Sequence, residues 1–384
     1  MVNLTMRRRF LLGAILLGVW ALGVGQSAQP ALATLPVGGH AGPIAVGDLN
    51  QDGKPDIVAA RVDTGMVAVY LGDGRGRFSA SEGSPFAAGD NPEDLALGDF
   101  NEDGRIDLVI ANHETSYVTV LLGDGRGGFA PAQPARITVQ SRPHPHGVAV
   151  GDFNGDRHLD IAVESWQDDA VLVLQGNGKA VFAGAPTRLR VGHTPYWKLR
   201  AGDLDGDQSA DLVTTNTDGS SVSALCADAG GWLQASRELP TARVPFAVAI
   251  GDVNGDRYPD LAVAHRSGGP DRTLDGLTVL IGKGNCDFDR ASQSAPRVGL
   301  SPTAVAIGDF DGDGVGDIAV ANMGSDNVTI LLGGRSGLRP ASASPLAVGK
   351  GPSTVALADV NGDGKADVVT GNWASGDVSV VLSR

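Results

Sequence analysis

A nine-residue acidic segment that occurs seven times, about 52 residues apart, constrains the fold of this chain more than any other feature. Every copy has an oxygen-bearing side chain at positions 1, 3 and 5 and an aspartate at position 9. A period near 50 residues is too long for one turn of a solenoid and is typical of a propeller blade. The repeats therefore predict an all-β, seven-bladed β-propeller with four-stranded blades. The acidic loops span residues 48–56, 99–107, 152–160, 203–211, 252–260, 309–317 and 359–367.

The spacing of the oxygen atoms in each loop indicates a site for a hard cation. Side-chain oxygens at positions 1, 3, 5 and 9 and the backbone carbonyl of position 7 form an oxygen cage, which calcium prefers. Position 7 varies freely because it contributes only its carbonyl. We therefore expect up to seven calcium ions. The predicted ligands, loop by loop, are Asp48, Asn50, Asp52, Lys54 and Asp56; Asp99, Asn101, Asp103, Arg105 and Asp107; Asp152, Asn154, Asp156, His158 and Asp160; Asp203, Asp205, Asp207, Ser209 and Asp211; Asp252, Asn254, Asp256, Tyr258 and Asp260; Asp309, Asp311, Asp313, Val315 and Asp317; and Asp359, Asn361, Asp363, Lys365 and Asp367.

Two details predict differences between the loops. Four copies have glycine at position 6, whereas the third, fourth and fifth have Arg157, Gln208 and Arg257. Residues other than glycine rarely adopt a positive φ, so these three loops are expected to turn differently or to bind calcium less tightly. The fourth and sixth loops carry four carboxylates at the predicted ligand positions rather than three, which favours the ion electrostatically.

The segments between the loops have the alternation of β-strands. An apolar strand precedes each loop, a second follows it directly, and a third is rich in β-branched residues, as in VTVLLG at 118–123. A glycine turn and an aromatic residue then lead into the fourth strand. The last repeat stops after its third strand, while residues 34–37 resemble a fourth strand. We expect this N-terminal segment to complete the last blade and to close the ring.

The acidic loops and the LGxGxGxF turns at 71–78 and 122–129 resemble the FG-GAP, or VCBS-type, repeat family, which is also found in the head of the integrin α-subunit. The resemblance covers about residues 34–384. It implies a calcium-binding propeller that acts in adhesion or extracellular binding, with a protein or glycan as ligand and calcium in a structural role. Two alternatives remain open: an extracellular enzyme acting on polysaccharide or phosphoester, and a structural module of a cell-surface assembly. The sequence contains no G-x-S-x-G or H-E-x-x-H motif, so binding is favoured over catalysis.

The N-terminal 33 residues have the pattern of a secretory signal peptide. Three arginines at 7–9 precede an apolar run from Phe10 to about Val24, and Ala31-Leu32-Ala33 fits a cleavage site. We expect a mature domain of residues 34–384 that is secreted, periplasmic or on the cell surface, monomeric and without a membrane segment. Export by either the general secretory or the twin-arginine route fits the pattern.

Charge and cysteine content restrict the partners and the covalent framework. The net charge is −14, and more than half of the 44 acidic residues lie in the loops. No basic stripe is available for phosphates, which argues against a nucleic-acid partner. A bridge between Cys226 and Cys286 is geometrically conceivable, but the sequence favours two independent thiols.

The ligand is expected on the face opposite the acidic loops, where the second-to-third turns and the crossings between blades come together. The residues that end the second strands have two possible interpretations. They form a polar ring at the channel mouth, or their asparagines start hairpins in left-handed geometry. These residues are Arg61, Asn112, Ser165, Asn216, His265, Asn322 and Asn372.

Aromatic residues and histidines are concentrated on the same face, and the longest insertion, residues 265–276, also lies there. His144-Pro145-His146 offers two imidazoles to a transition metal but no third ligand. The candidate ligand-binding residues are His113, His146, Trp166, Tyr196, Trp197, His265 and Trp373.

Overall fold

The computed structural model describes residues 32–139, 144–267, 275–292 and 295–383. The predicted signal peptide lies outside this part of the chain, except for its last two residues, Leu32 and Ala33. Most of the insertion at 265–276 also lies outside it.

The described residues form seven antiparallel sheets, each containing one acidic loop. The strands of each blade follow the chain outward from the channel, except in the last blade, where the outermost strand comes from the N-terminus. Blade 1 contains β2 (Ala41–Gly47), β3 (Asp56–Arg61), β4 (Met66–Gly72), β5 (Phe78–Ala80) and β6 (Phe86–Ala87); blade 2, β7 (Pro92–Gly98), β8 (Asp107–Asn112), β9 (Tyr117–Gly123) and β10 (Phe129–Thr138); blade 3, β11 (Pro145–Gly151), β12 (Asp160–Ser165), β13 (Ala170–Leu174) and β14 (Thr187–Arg190); blade 4, β15 (Pro195–Gly202), β16 (Asp211–Asn216), β17 (Ser221–Leu225) and β18 (Arg237–Pro240); blade 5, β19 (Pro245–Gly251), β20 (Asp260–His265), β21 (Gly276–Gly282) and β22 (Phe288–Arg290); blade 6, β23 (Pro302–Gly308), β24 (Asp317–Asn322), β25 (Asn327–Leu332), β26 (Arg339–Pro340) and β27 (Leu346–Ala347); and blade 7, β28 (Pro352–Ala358), β29 (Asp367–Asn372), β30 (Asp377–Val381) and β1 (Leu32–Pro36).

The blades form a closed ring. The first strand of every blade contacts the first strands of both neighbouring blades, so these seven strands surround a central channel. A short 3₁₀ helix at Trp166–Asp168 interrupts blade 3. Within the described residues, no helix is long and apolar enough to cross a membrane. The predicted all-β, seven-bladed propeller is confirmed.

The N-terminal strand closes the ring as expected. Strand β1 pairs antiparallel with β30, with Leu35 opposite Val378. The Tyr70 hydroxyl of blade 1 donates to the Pro36 carbonyl, which ties this closing strand to the next blade. Because β1 begins at Leu32, cleavage after Ala33 would remove its first two residues but leave its buried residue Leu35 in place.

The core lies between adjacent blades. The apolar residue at position 2 of each acidic loop is buried in all seven copies. Phe100 of the second loop, for example, packs with Ile161 and Leu174 of blade 3. The loops are therefore anchored to the hydrophobic core of the blade interfaces.

The two cysteines form a disulfide, and the expectation of two independent thiols was wrong. Cys226 follows β17 of blade 4 and Cys286 precedes β22 of blade 5, with their Cα atoms 6.4 Å apart. Cys226 lies directly after the third strand of one repeat and Cys286 in the glycine turn of the next, and these two segments become neighbours once the blades stack around the ring. The bridge joins residues 60 positions apart in sequence.

Candidate functional site

The aspartate at position 9 of each acidic loop connects three parts of its blade. Asp107 is fully buried at the start of β8, and its Oδ2 accepts a hydrogen bond from the Phe100 amide at 3.0 Å. Its Oδ1 accepts from the Gly123 amide at the end of β9, at 2.8 Å. The same pair of bonds occurs in all seven loops. This residue therefore supports the blade in addition to being a predicted calcium ligand.

The aspartate at position 1 organises the loop around itself. In the sixth loop, Asp309 Oδ1 accepts from the amides of Gly312 and Asp313 at 2.7 and 3.0 Å, and Oδ2 accepts from the Gly314 amide at 2.9 Å. A carboxylate has about four lone-pair sites, so these bonds leave capacity for a cation.

The fourth and sixth loops fit a calcium ion most clearly. In each, carboxylate oxygens from positions 1, 3 and 9 lie within 4.8 Å of one another. In the sixth loop, Asp311 Oδ1 is buried and has no hydrogen-bond partner among the described residues. A buried, unpaired carboxylate oxygen is costly, and a cation would satisfy it. The all-oxygen donor set matches calcium.

The electrostatics of the loops also favour a bound cation. Burial, together with the nearby carboxylates of the same loop, raises the pKa of Asp107, Asp160, Asp211 and Asp260 to about 6. The pKa values of Asp56, Asp317 and Asp367 are raised chiefly for the same reason. Position 9 thus carries a carboxylate whose charged form is disfavoured until a positive charge compensates it.

All seven loops have the same turn geometry, so the expectation that the third to fifth turn differently was wrong. Arg157, Gln208 and Arg257 at position 6 have φ of 72–74°, close to the 77–84° of the glycines in the other loops. Position 4 is also left-handed throughout, including Gln51 and Glu102. The loop hydrogen bonds therefore impose the turn, and the non-glycine residues adopt a strained conformation within it.

The acidic loops hydrogen-bond to neighbouring blades. The carbonyl of Leu49, at position 2 of the first loop, accepts from the Gly127 amide in the glycine turn of blade 2, at 3.1 Å. Equivalent bonds link Gly76 to Val360 and Gly334 to Val253. Successive loops also bond directly: the Gly316 and Ala366 amides donate to the carbonyls of Asp252 and Asp309. The loops and glycine turns therefore share one rim and connect the blades.

The residues that end the second strands do not form a polar ring at the channel mouth. Except for Arg61, they are buried inside the blades. Asn216 and Asn322 donate to side chains of the third strand, such as Ser223 and Thr329, at 2.9 Å. The four asparagines have negative φ, so the left-handed interpretation was also wrong. His265 belongs to this set: it bonds to Thr278, and burial lowers its pKa to about 4.

A charged cluster crosses the central channel. The Lys198 ammonium of blade 4 lies 2.9 Å from Asp94 Oδ1 of blade 2, and the Arg200 guanidinium lies 3.2 Å from Asp94 Oδ2. The Asp94 and Lys198 side chains are almost fully buried, at 4% and 10% exposure. One feature of the sequence indicates this cluster: Asp94 and Lys198 occupy a first-strand position at which blades 5 and 6 have alanine.

Blade 4 differs from the others by one residue in its first strand. Between Pro195 and Leu199, β15 has two more residues than the opposing stretch of β16, whereas the other first strands have one. Trp197 in this bulge has φ of 88°, an unusual conformation for a bulky residue. Bulges re-aim side chains, and strained residues often mark functional sites.

The channel mouth away from the acidic loops contains a cavity of about 410 Å³. Trp197 borders it and stacks on Phe246, with ring centroids 4.4 Å apart. Trp373 borders it from blade 7 and stacks on His40 at 4.7 Å. Charged side chains complete the lining: Glu93, Glu114, Lys198 and Arg266.

The structure brings together most of the predicted ligand-binding residues. His113, Trp197 and Trp373 border the cavity. Trp166, Tyr196 and His146 pack beside Trp197 in an aromatic cluster, with Tyr196 and His146 centroids 3.9 Å apart. His265 lies inside blade 5 and does not border the cavity. The sequence did not predict four further residues of the lining, because periodicity does not reveal which residues meet across a ring: Glu93, Lys198, Phe246 and Arg266.

The fold and the loops together define a seven-bladed propeller with an acidic loop in every blade. The FG-GAP-like repeat matches residues 48–110, 99–163, 203–263, 252–320 and 309–370, segments that include all seven loops. The chain therefore belongs to the FG-GAP-like repeat family. No curated protein is significantly similar to it in sequence.

Solved propellers with the same fold have diverse functions. A catalytically inactive virginiamycin B lyase from Staphylococcus aureus with quinupristin is 12% identical, with a TM-score of 0.60, covering 92% of this chain and 99% of its own. A putative 6-phosphogluconolactonase from Bacteroides uniformis is 13% identical, with a TM-score of 0.60 and coverages of 81% and 86%. The Pan2 WD40 domain of Neurospora crassa is 13% identical, with a TM-score of 0.59 and coverages of 92% and 94%. At these identities the similarity shows the fold alone.

Proposed function

We propose that this protein is a secreted, monomeric, calcium-loaded binding or adhesion module whose ligand enters the channel mouth away from the acidic loops. The disulfide between Cys226 and Cys286 supports an oxidising compartment, in agreement with the signal-peptide pattern at residues 1–33.

Calcium has a structural role in this proposal. The acidic loops hydrogen-bond to neighbouring glycine turns and to one another, so an ion that fixes a loop also fixes the contact between two blades. Without an ion, three or four carboxylates of one loop face each other. Binding to the folded state alone then stabilises the propeller in proportion to calcium occupancy.

The mouth cavity is the observation that carries the ligand-binding proposal. Two tryptophans, Trp197 and Trp373, border it together with acidic and basic side chains. A concave site of several hundred Å³ with aromatic walls and a few polar groups is typical of small-ligand recognition. Aromatic surfaces with nearby hydrogen-bonding groups suit a sugar ring, so a carbohydrate is the favoured ligand class.

A glycan array probed with calcium-loaded protein tests this function. We expect retention of specific glycans, and loss of retention in Trp373→Ala. Trp232→Ala is the matched control, because Trp232 is 51% exposed and lies in the glycine turn of blade 4, on the rim of the acidic loops. Cleavage of bound glycans would instead support the extracellular enzyme. Absence of any glycan binding, or equal binding by both variants, would contradict the proposed ligand site.

A further inference from the structure

Three histidines from two blades meet beside the channel mouth. His113 follows β8 of blade 2, while His144 and His146 lie at the start of blade 3. One nitrogen from each ring lies within 4.8 Å of the other two. His144 Nδ1 and His113 Nε2 are 3.1 Å apart. The structure thus supplies the third imidazole that the local sequence around His144 lacks.

His146 has an unsatisfied polar ring. It is fully buried, and neither Nδ1 nor Nε2 has a hydrogen-bond partner among the described residues. A buried polar group without a partner costs free energy, so such a group calls for a specific explanation. Its position beside two other imidazoles indicates that its missing partner is a ligand shared with them.

We propose that His113, His144 and His146 together bind one divalent transition-metal ion, with Zn²⁺ as the best match. Imidazole nitrogens suit zinc, copper and nickel rather than calcium, which prefers oxygen ligands. Two nitrogens bound tetrahedrally to Zn²⁺ at 2.0–2.1 Å are about 3.3 Å apart. The 3.1 Å between His144 Nδ1 and His113 Nε2 is close to this separation.

A neighbouring side chain orients one of the proposed ligands. The Asn91 side-chain nitrogen Nδ2 lies 3.0 Å from His113 Nδ1, the ring nitrogen that does not face His144. When the amide is turned over so that its oxygen faces the ring, it accepts the Nδ1–H and leaves Nε2 free for the metal, a common arrangement around metal-bound histidines.

Three protein ligands leave a fourth position on a tetrahedral ion, as in catalytic rather than closed structural zinc sites. His113 also borders the mouth cavity. The bound ion would therefore lie at the cavity wall, where water or an oxygen donor of a ligand can complete its coordination.

Calorimetric titration of tag-free, chelator-treated protein with Zn²⁺ tests the site. Saturating calcium is present throughout, so that the acidic loops do not compete. We expect one Zn²⁺ per chain and, with Co²⁺ as a spectroscopic probe, the visible absorption of a tetrahedral complex. His113→Gln and His144→Gln should each weaken binding at least about 100-fold, since even residues that only support a ligand contribute 10–100-fold.

His193→Gln is the matched control, because His193 lies on the same face but bonds to Asp169 outside the cluster. Both test residues are partly exposed, so their variants should keep the wild-type melt in calcium. The proposal is overturned if the wild type takes up no Zn²⁺, or if both variants bind it as the wild type does. Neither result bears on glycan binding, which is measured separately.

Discussion

Glu164 provides a sharp test of the electrostatics inside the propeller. It is fully buried in β12, where most other second strands have alanine or glycine. Its Oε2 accepts from the Gly147 amide at 2.9 Å and its Oε1 from the Thr214 hydroxyl. Burial raises the pKa of Glu164 from 4.5 to about 7.

The sign of the pH effect follows from this shift. Because the pKa is higher in the folded state than in the unfolded state, Glu164 does not reduce the free energy of unfolding below pH 4.5, where it is protonated in both states. Above pH 4.5 the free energy of unfolding falls as the pH rises through about 7, where the buried carboxyl ionises. Each pKa unit corresponds to 1.36 kcal/mol, so the ionised carboxylate costs about 3 kcal/mol above pH 7. Glutamine can make hydrogen bonds to both partners without acquiring a charge: its oxygen accepts from the Gly147 amide, and its nitrogen donates to the Thr214 hydroxyl oxygen, which reverses the direction of that bond.

We therefore expect Glu164→Gln to be about 3 kcal/mol more stable than the wild type at pH 8 and equally stable at pH 4. Urea unfolding between pH 4 and 8 in saturating calcium measures the difference in unfolding free energy between the variant and the wild type. The titration of the loop aspartates is common to both proteins and cancels in this difference. Glu114→Gln, at an exposed position on the mouth face, should show no such dependence. A Glu164→Gln difference that is constant with pH would refute the reasoning.

Three further perturbations test separate parts of the account. Arg157→Gly should raise the free energy of unfolding in urea by about 0.5–1 kcal/mol, because it removes a left-handed arginine, and Gly104→Arg should lower it by a similar amount. Changes of the opposite sign would contradict the inference that position 6 is strained when it is not glycine. Replacing both Cys226 and Cys286 by alanine should lower the unfolding free energy by up to about 4 kcal/mol, the chain-entropy value for a loop of this length; a variant as stable as the wild type would exclude a stabilising bridge. Asp94→Ala should cost about 3–5 kcal/mol by leaving the Lys198 ammonium buried and unpaired, and adding Lys198→Met should recover most of this loss; no recovery would show that the ion pair is not the cause.

The ring could be predicted from the sequence because the same acidic loop and strand pattern occurs in every repeat. Seven acidic loops, the period-2 strands and the missing last strand predicted seven blades closed by residues 34–37, and the pairing of β1 with β30 confirms this. The shared left-handed turn at Arg157 was not predicted, because a propensity at one residue is weaker than the hydrogen bonds of a whole loop.

The channel and the histidine cluster depend on contacts between distant repeats. Asp94 and Lys198 are separated by 104 residues and meet only because the ring brings blades 2 and 4 together. His113 joins His144 and His146 in the same way. The additional residue in β15 was visible in the sequence, but its consequence for Trp197 required the register of the strands.

Thermal melting in millimolar calcium and in excess chelator, with the bound calcium counted in parallel, tests the central proposal that calcium in the acidic loops holds the blades together. At loop affinities of about 10⁻⁴ M, each independent site contributes about 1.4 kcal/mol at millimolar calcium. Asp311→Asn, in the sixth loop, should reduce the calcium dependence without changing the melt in chelator by a comparable amount. We predict up to seven ions per chain and a melting temperature that falls clearly in chelator. A chain that binds no calcium, or whose melt is the same with and without chelator, would contradict the proposal.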